Sequence, residues 1–183
     1  MKRAICMSLL SFISTIFAPR ASADEYVVSD TYSQLRKQVL TYRSTVADSQ
    51  AGDRVWGILM ETGYPSAVVT LVAIDDGTIS MYFSKGGGIL GLGPHPGPQR
   101  AARSWLEMAG DYKSRATHSP GTSLPKVAHT RFYFLTKEGL LSIEAKTDDL
   151  GHRRHAFSPL FHKGHELITE IIKVNESLQG VKK

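Results

Sequence analysis

The sequence predicts a single α+β domain in which an antiparallel sheet of about five strands packs with three helices, in the order α-β-β-β-α-β-β-α. Three observations carry this. Alternating and β-branched apolar runs at 55–61, 67–74 and 78–84, and again at 130–135 and 140–146, are joined by short turns, and strands so joined must pair antiparallel. Three amphipathic segments at helical spacing interrupt or flank them. No internal repeat or long linker divides the chain, and the roughly 160 residues left after a leader are enough for one core without staples.

The leader is residues 1–23. Lys2 and Arg3 precede an uncharged, mostly apolar run from Ala4 to Ala18, and Ala21-Ser22-Ala23 forms an Ala-x-Ala step. This layout predicts a secretory signal peptide cleaved before Asp24, so an exported, periplasmic or secreted protein with a domain over 24–183. The run of 15 residues is short of the ~20 a spanning helix needs. An uncleaved N-terminal anchor, which would be the chain's one route to a membrane, and a cytosolic chain with a mis-assigned start remain the alternatives.

Ser29 or Asp30 caps the first helix, whose apolar stripe is Tyr32, Leu35, Val39, Tyr42 and Val46, with Gln34, Arg36, Lys37 and Gln38 covering the rest. A polar loop with Gly52 leads to the first strand. Gly63-Tyr64-Pro65-Ser66 and Asp75-Asp76-Gly77 are turns, the second a strong hairpin signal because glycine accepts positive φ. The third strand buries Ile79, Met81 and Phe83. A glycine-rich segment, Gly86 to Pro98, then delivers the second helix, with Pro98 in its first turn and Ala102, Trp105, Leu106 and Ala109 on its packing face. Residues 113–126 are a loop, Lys137-Glu138-Gly139 turns the second hairpin, and 148–157 is a polar connection. Leu160, Phe161, Leu167, Ile168, Ile171 and Ile172 face the core from the last helix, with Ser158 as its cap.

Composition excludes several functions. Lys2, Arg3 and Arg20 leave with the leader, so 22 Lys plus Arg become 19 against 17 Asp plus Glu, scattered without the basic stripe that a nucleic-acid surface needs. Cys6 is the sole cysteine and lies in the leader, so the mature chain has no disulfide, thiolate nucleophile or thiolate metal ligand. Gly86 to Gly91 spells G-x-G-x-x-G, yet Pro94, Pro96 and Pro98 delay the helix whose amides would face a pyrophosphate. No Gly-x-Ser-x-Gly elbow occurs, and Ser123-Leu124-Pro125-Lys126 places proline inside the turn that a Ser-x-x-Lys pair requires. No cofactor is expected, and an enzyme is the lesser expectation.

Two candidate sites remain. Lys85, Gly86, Gly87, Gly88, Gly91, Gly93, His95 and Arg100 put bare amides and cations near a helix start, suited to a protein or subunit contact or to a small anion. His162, His165 and Glu166 fall on neighbouring faces of the last helix and, with His152 and His155, give four His in 14 residues, a candidate metal cluster. Over residues 32–177 the element order resembles the profilin-like and roadblock-like domains, although roadblock domains place two strands before the middle helix and this chain reads three. That resemblance implies a partner-binding module, a homodimer included, rather than catalysis. The expectation is thus an exported, non-catalytic interaction module with its contact surface near 86–98. The alternative is an anion- or metal-binding protein.

Overall fold

The computed structural model describes residues 26–43, 54–119 and 121–180; the leader lies outside them. Among the described residues the chain is α+β, with a single antiparallel sheet and four α-helices. In order they are α1 (Asp30–Leu40), β1 (Val55–Tyr64), β2 (Ala67–Ile74), β3 (Ile79–Phe83), β4 (Gly88–Ile89), α2 (Pro96–Tyr112), β5 (Thr117–His118), β6 (His129–Thr136), β7 (Gly139–Lys146), α3 (Thr147–Gly151) and α4 (Ser158–Gly180). The sheet runs β4-β3-β2-β1-β6-β7-β5. The expected five strands become seven because two-residue strands, β4 from the glycine-rich segment and β5 from the 113–126 loop, extend its two edges. The fourth helix is the single turn α3, in what reads as a polar connection. Among the described residues no helix is long and apolar enough to cross a membrane.

The hairpin chemistry behaves as its residues dictate. Asp76 Oδ1 accepts from the Thr78 amide at 2.8 Å and Gly77 sits at φ +91°. β1 occupies the centre, paired to β2 on one side and β6 on the other, and nine of its ten residues are buried. A register shift between Val55 and Gly57 lets Val55 and Ile58 point to one face while Trp56 points to the other.

α2 and α4 cover the first face, where Trp105, Leu160 and Leu167 meet Ile58, Met60 and Phe132. α1 covers the second. There Ser29 Oγ accepts from the Tyr32 amide and starts the helix. The buried stripe of α1 is Tyr32, Arg36 and Leu40, so Arg36 faces the sheet rather than solvent as its charge suggests. It does so because a carboxylate waits beneath it. Register aligns Tyr82, Thr70, Glu61, Arg131 and Glu144 as one row across β3, β2, β1, β6 and β7.

Candidate functional site

The glycine-rich segment forms the β4 edge. Gly86 donates to Phe83 O and Phe83 donates to Gly87 O, closing a tight turn in which Gly86 and Gly87 have φ of +102° and +79°. Gly88 lies against β3, where a Cβ would stand 2.6 Å from Met81 O. Gly91 has φ +74°, and Leu92 donates to Ile79 O as its side chain enters the core. Gly93 passes so near the hairpin that a Cβ would run into Gly77 O. Lys85 and Arg100 are exposed. His95 precedes α2 without a side-chain cap, and neither it nor the two cations line the cavities described below.

These glycines can be told apart by substitution. Gly87→Ala should cost about 1 kcal/mol through its positive φ alone, since open space surrounds it. Gly93→Ala should cost about 1–3 kcal/mol, because one of two backbones must move. Urea unfolding of the two variants checks the order, and equal costs would mean that the Gly93 backbone yields freely.

Next to the turn, a cleft of about 130 Å³ lies between α1 and the Gly86–Gly88 backbone, bordered by Tyr32, Leu35, Phe83 and Leu90. Leu90 is 53% exposed. Tyr82 also lines the cleft; its ring meets Tyr32 edge-on at 5.5 Å, and its buried hydroxyl has no hydrogen-bond partner among the described residues. Burial, reinforced by the charge of Glu61, pushes the Tyr82 hydroxyl well above the usual phenol range, so it stays a neutral donor.

The histidines do not converge. His152 pairs with Asp148 in the open, and His155 Nδ1 accepts from the Phe157 amide at 3.2 Å. His162 and His165 both pack on Phe161, and each has a buried Nε2 without a partner among the described residues. Glu166, four residues from His162, is exposed and taken by Lys163 at 2.6 Å. Among the described residues no group of three or more His, Cys, Asp or Glu could hold a metal ion.

Burial, with His162 adding to it, lowers the pKa of His165. A depressed folded pKa means that the unfolded chain binds the extra proton first, so the stability His165 contributes is intact above about 6.5 and is lost as pH falls below it. The drop in urea midpoint between neutral and mildly acid pH should therefore be smaller in His165→Gln than in the parent. Parallel pH profiles would refute it.

Composition hides a buried polar network. Glu61 is fully buried, and Arg36 grips it with two hydrogen bonds, Nε to Oε1 at 2.6 Å and NH2 to Oε2 at 2.8 Å. Burial alone would pull the Arg36 pKa down, but the bonds and charge of Glu61 more than offset it and the guanidinium holds its proton firmly. Arg131 forms a single, partly exposed ion pair with Glu144, its neighbour on β7. Both arginines also donate to Thr122 and Ser123 of the loop that follows β5. Arg36 NH1 donates to Thr122 O at 2.6 Å. Ser123 O accepts from Arg131 NH1 at 2.6 Å, from the Tyr133 hydroxyl at 2.9 Å and from Arg36 NH2 at 3.4 Å. A cavity of about 450 Å³ lies on each side: Gly121 and Ser123 line one, Thr122 and Leu124 the other. The one sequence sign of this network is a glutamate inside an otherwise apolar strand.

Compared with protein-family models, curated proteins and solved structures, the chain finds no match in any of the three.

Proposed function

We propose that the protein is an exported, non-catalytic binding module that engages a protein partner, a second copy of itself included, through the β4 edge and the glycine-rich segment 86–98. The observation that carries this reading is Leu90. A large apolar side chain stands 53% exposed at a two-residue sheet edge, directly beside a cleft sized for about one side chain. An edge strand leaves backbone donors and acceptors open to an added strand, and a neighbouring apolar cleft supplies the pocket that makes such pairing selective. Val27 and Val28, exposed just before α1, extend the apolar character of this end: Val28 borders a cavity that Tyr32 also lines. Lys85 and Arg100 supply exposed charge.

A photo-crosslinking residue placed at Leu90 in the full-length chain, expressed in its own host, tests the reading. The expected result is one enriched adduct, either the protein itself or a second envelope protein, absent when the same residue stands at exposed Glu176. Leu90→Asp should abolish the adduct's counterpart in sedimentation while leaving the urea midpoint within about 0.5 kcal/mol of the parent, as for other surface changes. Equal labelling from both positions would overturn the proposal. The mass of the protein recovered from the envelope tests export: an N-terminus at Asp24 supports it, and an intact cytoplasmic chain opposes it.

A further inference from the structure

We infer that the partner at the β4 edge is a second copy of this chain, paired antiparallel about a two-fold axis at Ile89 so that each Leu90 enters the other's cleft. This rests on the binding role proposed for that edge and names its occupant. The direction of the backbone groups carries the first step. Phe83 donates to Gly87 O, so these two form a hydrogen-bonded pair of the β3–β4 ladder, and Met81 with Ile89 forms the next. Ile89 therefore turns its amide and carbonyl to β3, while those of Gly88 and Leu90 point to the open side. Among the described residues no turn or loop bond takes them up. Gly87 and Gly91, at φ +79° and +74°, bend the chain on either side and confine the extended stretch to 88–90, three residues centred on Ile89.

The order of side chains carries the second step. Neighbours on a strand face opposite sides: Ile89 packs on the core of the first face, while Gly88, across from Tyr82, and Leu90, at the border of the cleft, fall on the second. A two-fold axis at Ile89 sets Leu90 opposite Gly88 of the second copy and Gly88 opposite its Leu90, with four backbone hydrogen bonds flanking the Ile89–Ile89 pair. An exposed leucine thus meets a residue with no side chain, which itself lines the cleft of about 130 Å³. A register one residue away would put these side chains on opposite faces. A foreign strand could fill the cleft but would bring no matching hollow for Leu90; this edge carries both halves of the fit. Charge does not oppose it, because residues 86–93 contain no charged side chain and no proline, the usual guards of a free edge.

Cysteine crosslinking in the full-length chain tests the register, each variant also carrying Cys6→Ser so that the introduced thiol is alone. At a non-hydrogen-bonded antiparallel pair the two Ile89 Cα atoms would stand about 4.5 Å apart, within reach of a disulfide, whereas the two Leu90 positions would be roughly 8–9 Å apart, beyond it. Under mild oxidation Ile89→Cys should therefore give a covalent dimer and Leu90→Cys should not. Sedimentation of the parent at rising concentration should show a monomer–dimer equilibrium, which Leu90→Asp should weaken about a hundredfold, because two buried leucines are lost per dimer. No covalent dimer from Ile89→Cys, equal yields from the two cysteines, or a dimer indifferent to Leu90→Asp would overturn the two-fold arrangement. A parent that stays monomeric up to millimolar concentration while Leu90 crosslinks to a different envelope protein would overturn self-pairing and leave the broader role of the edge standing. A monomer with no Leu90 adduct would sink both.

Discussion

Replacing Arg36 with alanine should lower the unfolding free energy by about 3–5 kcal/mol, a large share of the ~5–15 kcal/mol typical of a domain. The cause is what remains behind. Glu61 is fully buried at the centre of the sheet, and besides Arg36 it accepts one long hydrogen bond from Thr70 Oγ1 at 3.4 Å. Without the guanidinium, a carboxylate stays in a low-dielectric site with its charge uncompensated or takes up a proton, and either costs more than the intact pair yields. Arg36→Lys should restore only part of the loss, because an ammonium cannot fork onto both oxygens. The double change Arg36→Met with Glu61→Leu should recover most of the stability, since apolar side chains of similar size remove both desolvation penalties. Urea unfolding of the three variants decides it. A loss below about 1 kcal/mol in Arg36→Ala would mean that water reaches Glu61 and solvates it.

The same pair separates what the sequence makes legible from what it hides. Long strands and long helices announce themselves by period, and the three-then-two division of the five long strands about α2 follows from turns at Gly63–Ser66, Asp75–Gly77 and Lys137–Gly139. Arg36 escapes because Tyr32, Leu35 and Val39 already complete an apolar stripe at helical spacing, and a charge beside it reads as a solvated flank. Only the partner on a strand 25 positions away turns it inward. Two residues are too few to show alternation, so β4 and β5 are invisible among glycines and hydroxyls. α3 is a single turn with Asp148 and Asp149 near its start, favourable for the helix dipole but equally at home in a loop. The contacts to Thr122 and Ser123 are hidden for a different reason: they fall mainly on backbone carbonyls, which every residue carries. For the candidate site, the glycines of 86–93 were legible as backbone demands, whereas the exposure of Leu90 and the cleft behind it arise only when α1 folds over β3.

The first face of the sheet should answer as strongly as the second. Trp105→Ala should cost about 3–5 kcal/mol, as truncation of a fully buried aromatic does. Trp105 is the point at which α2, α4 and the sheet meet. Its indole Nε1 donates to Leu160 O at 3.1 Å, and Gly164 on α4 is so near that a Cβ there would stand 3.2 Å from the ring and 3.0 Å from the Met60 methyl. Removing the indole therefore opens a cavity between three elements and strips a helix carbonyl of its side-chain donor. Trp105→Phe fills most of the volume and should lose about 1–2 kcal/mol, the part due to the hydrogen bond and the smaller ring. Gly164→Leu approaches the same contact from the opposite side and should also destabilise, by about 1–3 kcal/mol, because the space is already full. Circular dichroism in urea reads all three without relying on the remaining Trp56. Because α2 begins where the glycine-rich segment ends, the comparison also bears on function. If Trp105→Phe weakens the fold yet leaves the Leu90 adduct intact, the β4 edge is held by its pairing to β3; if the adduct is lost in proportion to stability, the contact surface depends on the docking of α2 and α4 beneath it.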